Sequence, residues 1–335
     1  KIVLEKAYYL ATNQRQGPVW IDIPLDIQAA PIDPAKLKGW KDKKIKFTSK
    51  IKKQEIKSVL KLLSLSKRPI ILAGHGVRLS GQTNIFKKLV KKLGIPIVTT
   101  WNAMDLLPYS HKLNIGRPGV VALRAPNLAV QNSDLLISVG CRLDNIITAF
   151  DSKNFARSAK KIIIDIDINE IKKLNMNINL AIQSDAKVFL ESLLNYSQSN
   201  KFNYYDWQKK CLEWKNKYKS NSSKDFNKKK SIDHYEFIEN LSNQLPKNSI
   251  ISTGSSGLGI EVFYSVFKNK EGQRIFLTSG LGAMGYGLPS SIGACFANKK
   301  KPMFLIEGDG SFQLNIQEMA VIEQFKLPIC IIIMN

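Results

Sequence analysis

The sequence has 335 residues, 44% hydrophobic and 23% charged, the make-up of a globular protein with room for two domains or parts of three. Its formal charge of +23 raises nucleic-acid binding. That class is set aside, because the lysines are spread over predicted helix faces or crowd with Asn and Ser into 37–53 and 209–230, and no nucleic-acid fold motif accompanies them.

The N-terminal KIVLEKAYYL predicts a helix without signal-peptide architecture, and no apolar run along the chain reaches the length of a membrane span. Cys141, Cys211, Cys295 and Cys330 fall singly and read as reduced thiols, so a cytoplasmic protein with no membrane partner is expected. QGPVWIDIPLDIQ, residues 16–28, predicts a strand over PVWIDI and a proline-marked exit. A linker with Pro31, Pro34 and lysines then leads to a new unit near residue 50.

From residue 52, KKQEIKSVLKLLSLSKRPIILAGHGVRLSG reads as amphipathic helix, buried strand, glycine turn and second helix. IPIVTTW, DLLISVG and KIIIDIDI continue the alternation, and four apolar strands separated by helices predict a doubly wound parallel sheet of the α/β class, ending near residue 195. Residues 200–230, polar with isolated aromatics, read as an exposed connector helix and loop. SIDHYEFIENLSNQL restarts a helix, NSIISTG and RIFLTSG are strands, and PMFLIE and LPICIIIM are two more, the last apolar enough to require cover on both faces. Between those two, helical spacing places Phe312, Ile316, Met319, Ala320 and Phe325 on an inner face.

Three strands end in candidate ligand loops: STGSSG at 252–257, SGLGAMGYG at 279–287 and GDGS at 308–311. Ligands of open α/β sheets bind outside the carboxyl ends of strands, so three such loops on one sheet are more specific than any one. Gly308 and Gly310 allow a tight turn, Ser311 opens a helix whose start favours an anion, and Asp309 supplies a carboxylate beside it. Parallel strands end at one edge, which brings Asp309 together with residues at and just beyond Asn335. A carboxylate beside an anion site points to a cation bridging to phosphate, best matched by Mg²⁺. A bare GDG also suits a plain acidic turn.

In the middle unit, Gly74 and Gly76 of GHG, Gly140 and Arg142 of GCRLD, and Asp165 or Asp167 of DID follow three successive strands. The glycines would admit a nucleotide diphosphate, Arg142 would pair with it, and an aspartate would hold a ribose hydroxyl. A lone G-x-G is weak evidence for this. His75, His111 and His234 lie on unrelated segments and read as turn or surface residues, with no catalytic pair or zinc spacing.

GDG, a helix and an apolar strand ending in Asn, together with GPV-x-IDIP-x-D-x-Q at 17–28, resemble the thiamin diphosphate enzymes of the pyruvate decarboxylase and acetolactate synthase superfamily, in particular acetolactate synthase catalytic subunits. The resemblance implies that residues 1–40 close an N-terminal pyrimidine-binding domain, 41–197 form a central domain, 198–230 a connector, and 231–335 the start of a diphosphate-binding domain. On it, the chain is expected to be part of a longer polypeptide. It implies thiamin diphosphate and Mg²⁺ as cofactors, with the diphosphate at Gly254, Ser255, Ser256, Gly308, Gly310 and Ser311. Asp309 would ligate the metal, and Gly282 and Met284 would pass the aminopyrimidine, although Met284 suits core packing equally. The activating Glu is expected outside this chain. A 2-keto acid, pyruvate, is the implied substrate, the two-carbon unit going to a carbonyl acceptor, as in branched-chain amino acid biosynthesis. A homodimer or homotetramer, with a regulatory subunit as a further partner, is also implied. FAD is the cofactor implied for the middle unit, and its presence stays open.

Two departures accompany the resemblance. GSSGLG stands where a Gly-Gln-His-like run is usual, and GRPG at 116–119 stands where the flavin-contacting segment is Gly-Met-His-Gly-like. GRPG with EGQRIF is similar to synthase-like homologues of surface-sugar biosynthesis, so a flavin-free decarboxylase or carboligase is the first alternative. A non-catalytic nucleotide-binding module is the second.

Overall fold

The computed structural model describes residues 1–13, 15–41, 51–220, 232–278 and 280–335, and for Leu258 the backbone alone. Much of the lysine-rich run 37–53, the end of 209–230, and Ser279 therefore fall outside the described residues.

A six-stranded parallel sheet comes first. Its strands are β1 (Pro69–Ala73), β2 (Ile97–Thr99), β3 (Asn114–Gly116), β4 (Leu135–Val139), β5 (Lys160–Asp165) and β6 (Leu180–Gln183), in the order β3-β2-β1-β4-β5-β6. The order reverses between β1 and β4, where Ile71 sits opposite Ile97 on one side and Ile137 on the other. Runs such as PIILA and LLISV are buried throughout because helices cover both faces. Helix Lys53–Leu65 buries Ile56, Val59 and Leu63, and helix Thr83–Leu93 buries Phe86, Leu89, Val90 and Leu93, the spacing of one helical stripe. Gly94, at φ +64, ends the second helix in the left-handed conformation.

A four-stranded parallel sheet follows, with β7 (Ile250–Thr253), β8 (Arg274–Leu277), β9 (Met303–Gly308) and β10 (Ile329–Met334) in the order β10-β9-β7-β8. Both sheets are doubly wound in outline, as the sequence predicts. The segment Trp101–Leu106, a 3₁₀ helix after β2, docks on β8 and joins the two. Asp105, its side chain fully buried, accepts from Arg78 at 2.6 Å, from Arg274 at 3.1 Å and from the Ile275 N–H at 3.0 Å. Asn102 accepts the Leu277 N–H, and Trp101 stacks on Tyr264. Arg117 of GRPG is buried and donates to the carbonyls of Tyr264, Ser265 and Phe267, at the end of helix Phe263–Val266.

Four expectations need correction. PVWIDI forms no strand: no neighbouring strand among the described residues completes a ladder, and Trp20 is 91% exposed. The helix expected in the connector is found at Tyr205–Lys217, but it is not exposed: it packs into the first core through Trp207 and Cys211, with the Trp207 indole donating to Pro69 O. Lys215, on the same helix, donates to Tyr109 O and Asn114 O. LPICIIIM, expected to be covered on both faces, is an edge strand and half-exposed among the described residues. The predicted helix after GDG is broken into Asp309–Gln313, a 3₁₀ turn at Ile316–Glu318, and Met319–Phe325. Phe312, Val321 and Ile322 pack inward there, whereas Ile316, Met319 and Phe325 are exposed.

Candidate functional site

The carboxyl ends of β7, β8 and β9 open on one edge of the four-stranded sheet, and their loops are tied to one another. Gly254, just past β7, donates its N–H to Ile306 O at 2.8 Å. Ser255 Oγ donates to Gly282 O at 2.7 Å, linking the first loop to the second. The Gly285 N–H donates to Ser311 Oγ at 2.9 Å and Asn315 Nδ2 donates to Gly285 O at 2.6 Å, linking the second to the third. Ser256 accepts the Gly259 N–H and lies against Gly308, where an added Cβ would stand 2.7 Å from Ser256 Cβ. Gly282 at φ +62 and Gly285 at φ +81 give the second loop a shape that side chains resist.

Asp309 is exposed at the start of its helix, at the rim of these loops. Met334 pairs with Gly308 across β10 and β9, so Asn335 and Asp309 leave the sheet side by side. Met284 is 55% exposed and reaches over the GDG turn, its Cε 3.5 Å from where a Cβ on Gly310 would be, so it is no part of the core. No cluster of three metal-ligating side chains exists among the described residues. A lone carboxylate at the rim of amide-bearing loops fits a hard cation that takes most of its ligands from a bound diphosphate and from other groups. The loops, open at Gly257, Gly280 and Gly310, fit the diphosphate itself.

Below the loops lies a residue that sequence reasoning missed. Glu307 of β9 is fully buried, its Oε1 accepting the Gly308 N–H at 3.2 Å and its Oε2 without a hydrogen-bond partner among the described residues. Burial pushes its carboxyl above the ordinary carboxylate range, against the opposing pull of the Ser311 hydroxyl and the Gly308, Gly287 and Ser255 amides. The available signal was a charged residue at an inward position of an otherwise apolar strand.

Between the two sheets a cleft of about 680 Å³ runs from these loops to His75, Trp101, Asn102 and Arg142. The His75 ring nitrogen Nδ1 lies 3.0 Å from Asn102 O, and burial lowers the imidazole's affinity for a proton. His111 accepts the Leu113 N–H in a turn, and His234 begins a helix.

A second cavity, about 350 Å³, continues from the cleft over the six-stranded sheet and is lined by Arg15, His75, Gly76, Arg142, Asp165 and Asp185. Of the predicted middle-unit residues, Gly76, Gly140, Arg142 and Asp165 line it, on terms the motif did not reveal. An added Cβ on Gly74 would overlap the Gly140 carbonyl, and one on Gly76 would lie 2.7 Å from Gly140 Cα. The Gly76 N–H donates to Gly140 O at 3.0 Å. These glycines let two loops cross backbone on backbone. Arg142 lies 3.6 Å from Glu170, which also holds Arg15 and Lys173, so an anion there would compete with Glu170. Asp165 accepts the Asp167 N–H and is pushed up by burial, while Asp167 caps the next helix through the Asn169 N–H.

Among the described residues no helix is long and apolar enough to cross a membrane, and the four cysteines are free. Residues 56–193 match the family described as thiamine pyrophosphate enzyme, central domain, and residues 254–335 match thiamine pyrophosphate enzyme, C-terminal TPP binding domain. A probable acetolactate synthase large subunit of Methanococcus aeolicus is 35% identical, the alignment covering 99% of this chain and 58% of that protein. Its counterpart in Methanocaldococcus jannaschii is 36% identical, over 98% of this chain and 56% of that protein. The acetolactate synthase large subunit of Lactococcus lactis subsp. lactis is 30% identical, over 99% and 57%. The chain thus spans a little over half the length of the curated relatives it matches. With both domain matches in sequence order and the second ending on the strand that carries Asn335 beside Asp309, the chain belongs to the thiamine pyrophosphate enzymes.

Proposed function

We propose that the protein to which this chain belongs is an acetolactate synthase-like enzyme that decarboxylates a 2-keto acid, pyruvate, and transfers the two-carbon unit to a carbonyl acceptor. The observation that carries the reading is the meeting of three tied loops at one sheet edge with Asp309 at their rim. Thiamin diphosphate, when bound, supplies the carbanion stabilisation that side chains cannot. The chain's own part is binding and orientation. Backbone amides of 255–256 and 309–311 would hold the diphosphate, the Gly254 and Gly308 amides being taken by Ile306 O and Glu307; Asp309 would hold Mg²⁺ against it, and Met284 would support the cofactor's shape. The cleft lined by His75, Trp101 and Asn102 would keep the reacting end away from bulk water. The acid that activates the cofactor, the oligomer and any regulatory subunit belong to the whole protein, and a dimer or tetramer is the expected assembly.

FAD is the second cofactor proposed, in the cavity bounded by Arg15, Arg142 and Asp165. One observation favours the flavin-free carboligase alternative. Arg117, in the GRPG that stands where the flavin-contacting segment is expected, is wholly turned into the neighbouring helix end.

The test is to supply the intact protein with pyruvate, thiamin diphosphate and Mg²⁺ and assay acetolactate. Turnover on the order of 1 per second or faster supports the synthase reading. Slow consumption of pyruvate by a colourless protein shifts it to the flavin-free carboligase with another acceptor, and failure to bind thiamin diphosphate refutes both.

A further inference from the structure

Glu307 has no place in the binding roles above, and it is fully buried with no ion-pair partner among the described residues. Alternation along β9 puts it on the same side as Met303 and Leu305, facing helix Gly287–Ala297. An added Cβ on Gly254 would overlap its Oε1, and one on Gly287 would overlap its Oε2. The carboxyl therefore fills the space between the end of β7 and the start of that helix, with the third loop attached through the Gly308 N–H. Gly287 closes the second loop, and Ser311 of the third accepts the Gly285 N–H from the second. Every one of the three loops thus touches this group or its immediate partner.

An apolar side chain of the same volume would fill that space without the cost of burying a carboxyl. What the carboxyl adds is a fixed acceptor for the Gly308 amide, wedged where Gly254 and Gly287 leave it room. We infer that Glu307 is a positioning residue of the cofactor cradle, buried beneath it, whose carboxyl holds the three loops in one arrangement so that the diphosphate meets preformed amides. It touches neither cofactor nor substrate. The inference rests on the proposal that these loops hold the diphosphate.

The experiment measures the affinity of the intact protein for thiamin diphosphate in the presence of Mg²⁺ by calorimetry, alongside the far-UV spectrum and melting temperature of each variant. The wild-type protein binds. Glu307→Met, which keeps the volume and removes the acceptor, is expected to weaken binding at least tenfold at a temperature where it is fully folded, and Glu307→Gln, which keeps one acceptor oxygen, to restore most of it. Gly254→Ala is expected to lose binding, and Glu307→Ala combined with Gly254→Ala to regain at least tenfold over Gly254→Ala alone, because the new methyl enters the vacated space. Wild-type affinity in Glu307→Met, whatever its melting temperature, overturns the inference and leaves the cradle reading intact. A double variant no better than Gly254→Ala overturns the geometric basis. Absence of binding by the wild-type protein overturns the cradle reading and the inference with it. If Glu307→Met does not fold, the Gly254→Ala rescue alone decides.

Discussion

Two sheets in this molecule end in glycine-bearing loops, and their glycines do opposite work. On the six-stranded sheet, Gly74, Gly76 and Gly140 are filled against one another, carbonyl on Cα, and the Gly76 amide is already used. On the four-stranded sheet, Gly257 and Gly280 face open space, Gly310 meets only the end of Met284, and Gly254 and Gly287 make room for a single buried carboxyl. A G-x-G after a strand is therefore not evidence of a ligand until the space beside it is known.

The sharpest test of that contrast is Gly74→Ala. With backbone on the far side nothing can give, so the substitution should cost about 3 kcal/mol or more and show as a large drop in the urea midpoint. An ordinary midpoint would mean the loops do not cross as described. Asp309→Ala, on the open side, should leave folding alone and cut metal-dependent retention of thiamin diphosphate on the order of 100-fold, the upper end of what even supporting residues of metal sites contribute. Retention that survives dialysis against a chelator would remove Asp309 from the metal.

The packed side should also carry pH dependence. Burial, with the Arg117 charge second, holds Lys215 down from an ordinary 10.5 to about 8. Between those values the unfolded chain binds more protons than the folded one, so stability should rise as pH climbs through the window, by at most about 1.4 kcal/mol per pH unit. Lys215→Met should flatten that part of the profile, and an unchanged slope would show the ammonium is not buried. Smallest of all, Gly257→Ala should move stability by no more than about 0.5 kcal/mol, because its new methyl meets nothing. A larger loss would mean this loop is packed like the other.

Much of the fold was legible because its strands are built on short apolar runs, as in PIILA, LLISV and the isoleucines of KKIIID. The strands Asn114–Gly116 and Leu180–Gln183 were not, being three and four residues long and bearing Asn, Gly or Gln. PVWIDI differs for the converse reason: it has strand composition, but a strand needs a partner, and none among the described residues pairs with it. Trp207, Cys211 and Trp214 share a helical spacing that marks a buried face, but the surrounding lysines obscured it. In the site, GDGS and its neighbouring loops were legible from position after strands, while Glu307 was not, since one charge in PMFLIE carries no sign of the two glycines that surround it. Met284 could not be placed from sequence, because an exposed thioether over a turn and a buried one read alike.

The contacts between the two sheets have a consequence for how the molecule comes apart. Asp105 is shared by an arginine from each side, and Arg117, held down to about 10 by burial, meets only carbonyls of the other unit. Pulling the units apart would strand a carboxylate with one of its three partners and leave three carbonyls unfilled before either core had opened. Melting followed by calorimetry should then give a single endotherm whose van't Hoff and calorimetric enthalpies agree for both units together. What the chain writes as two successive folds would behave, in heat, as one cooperative block.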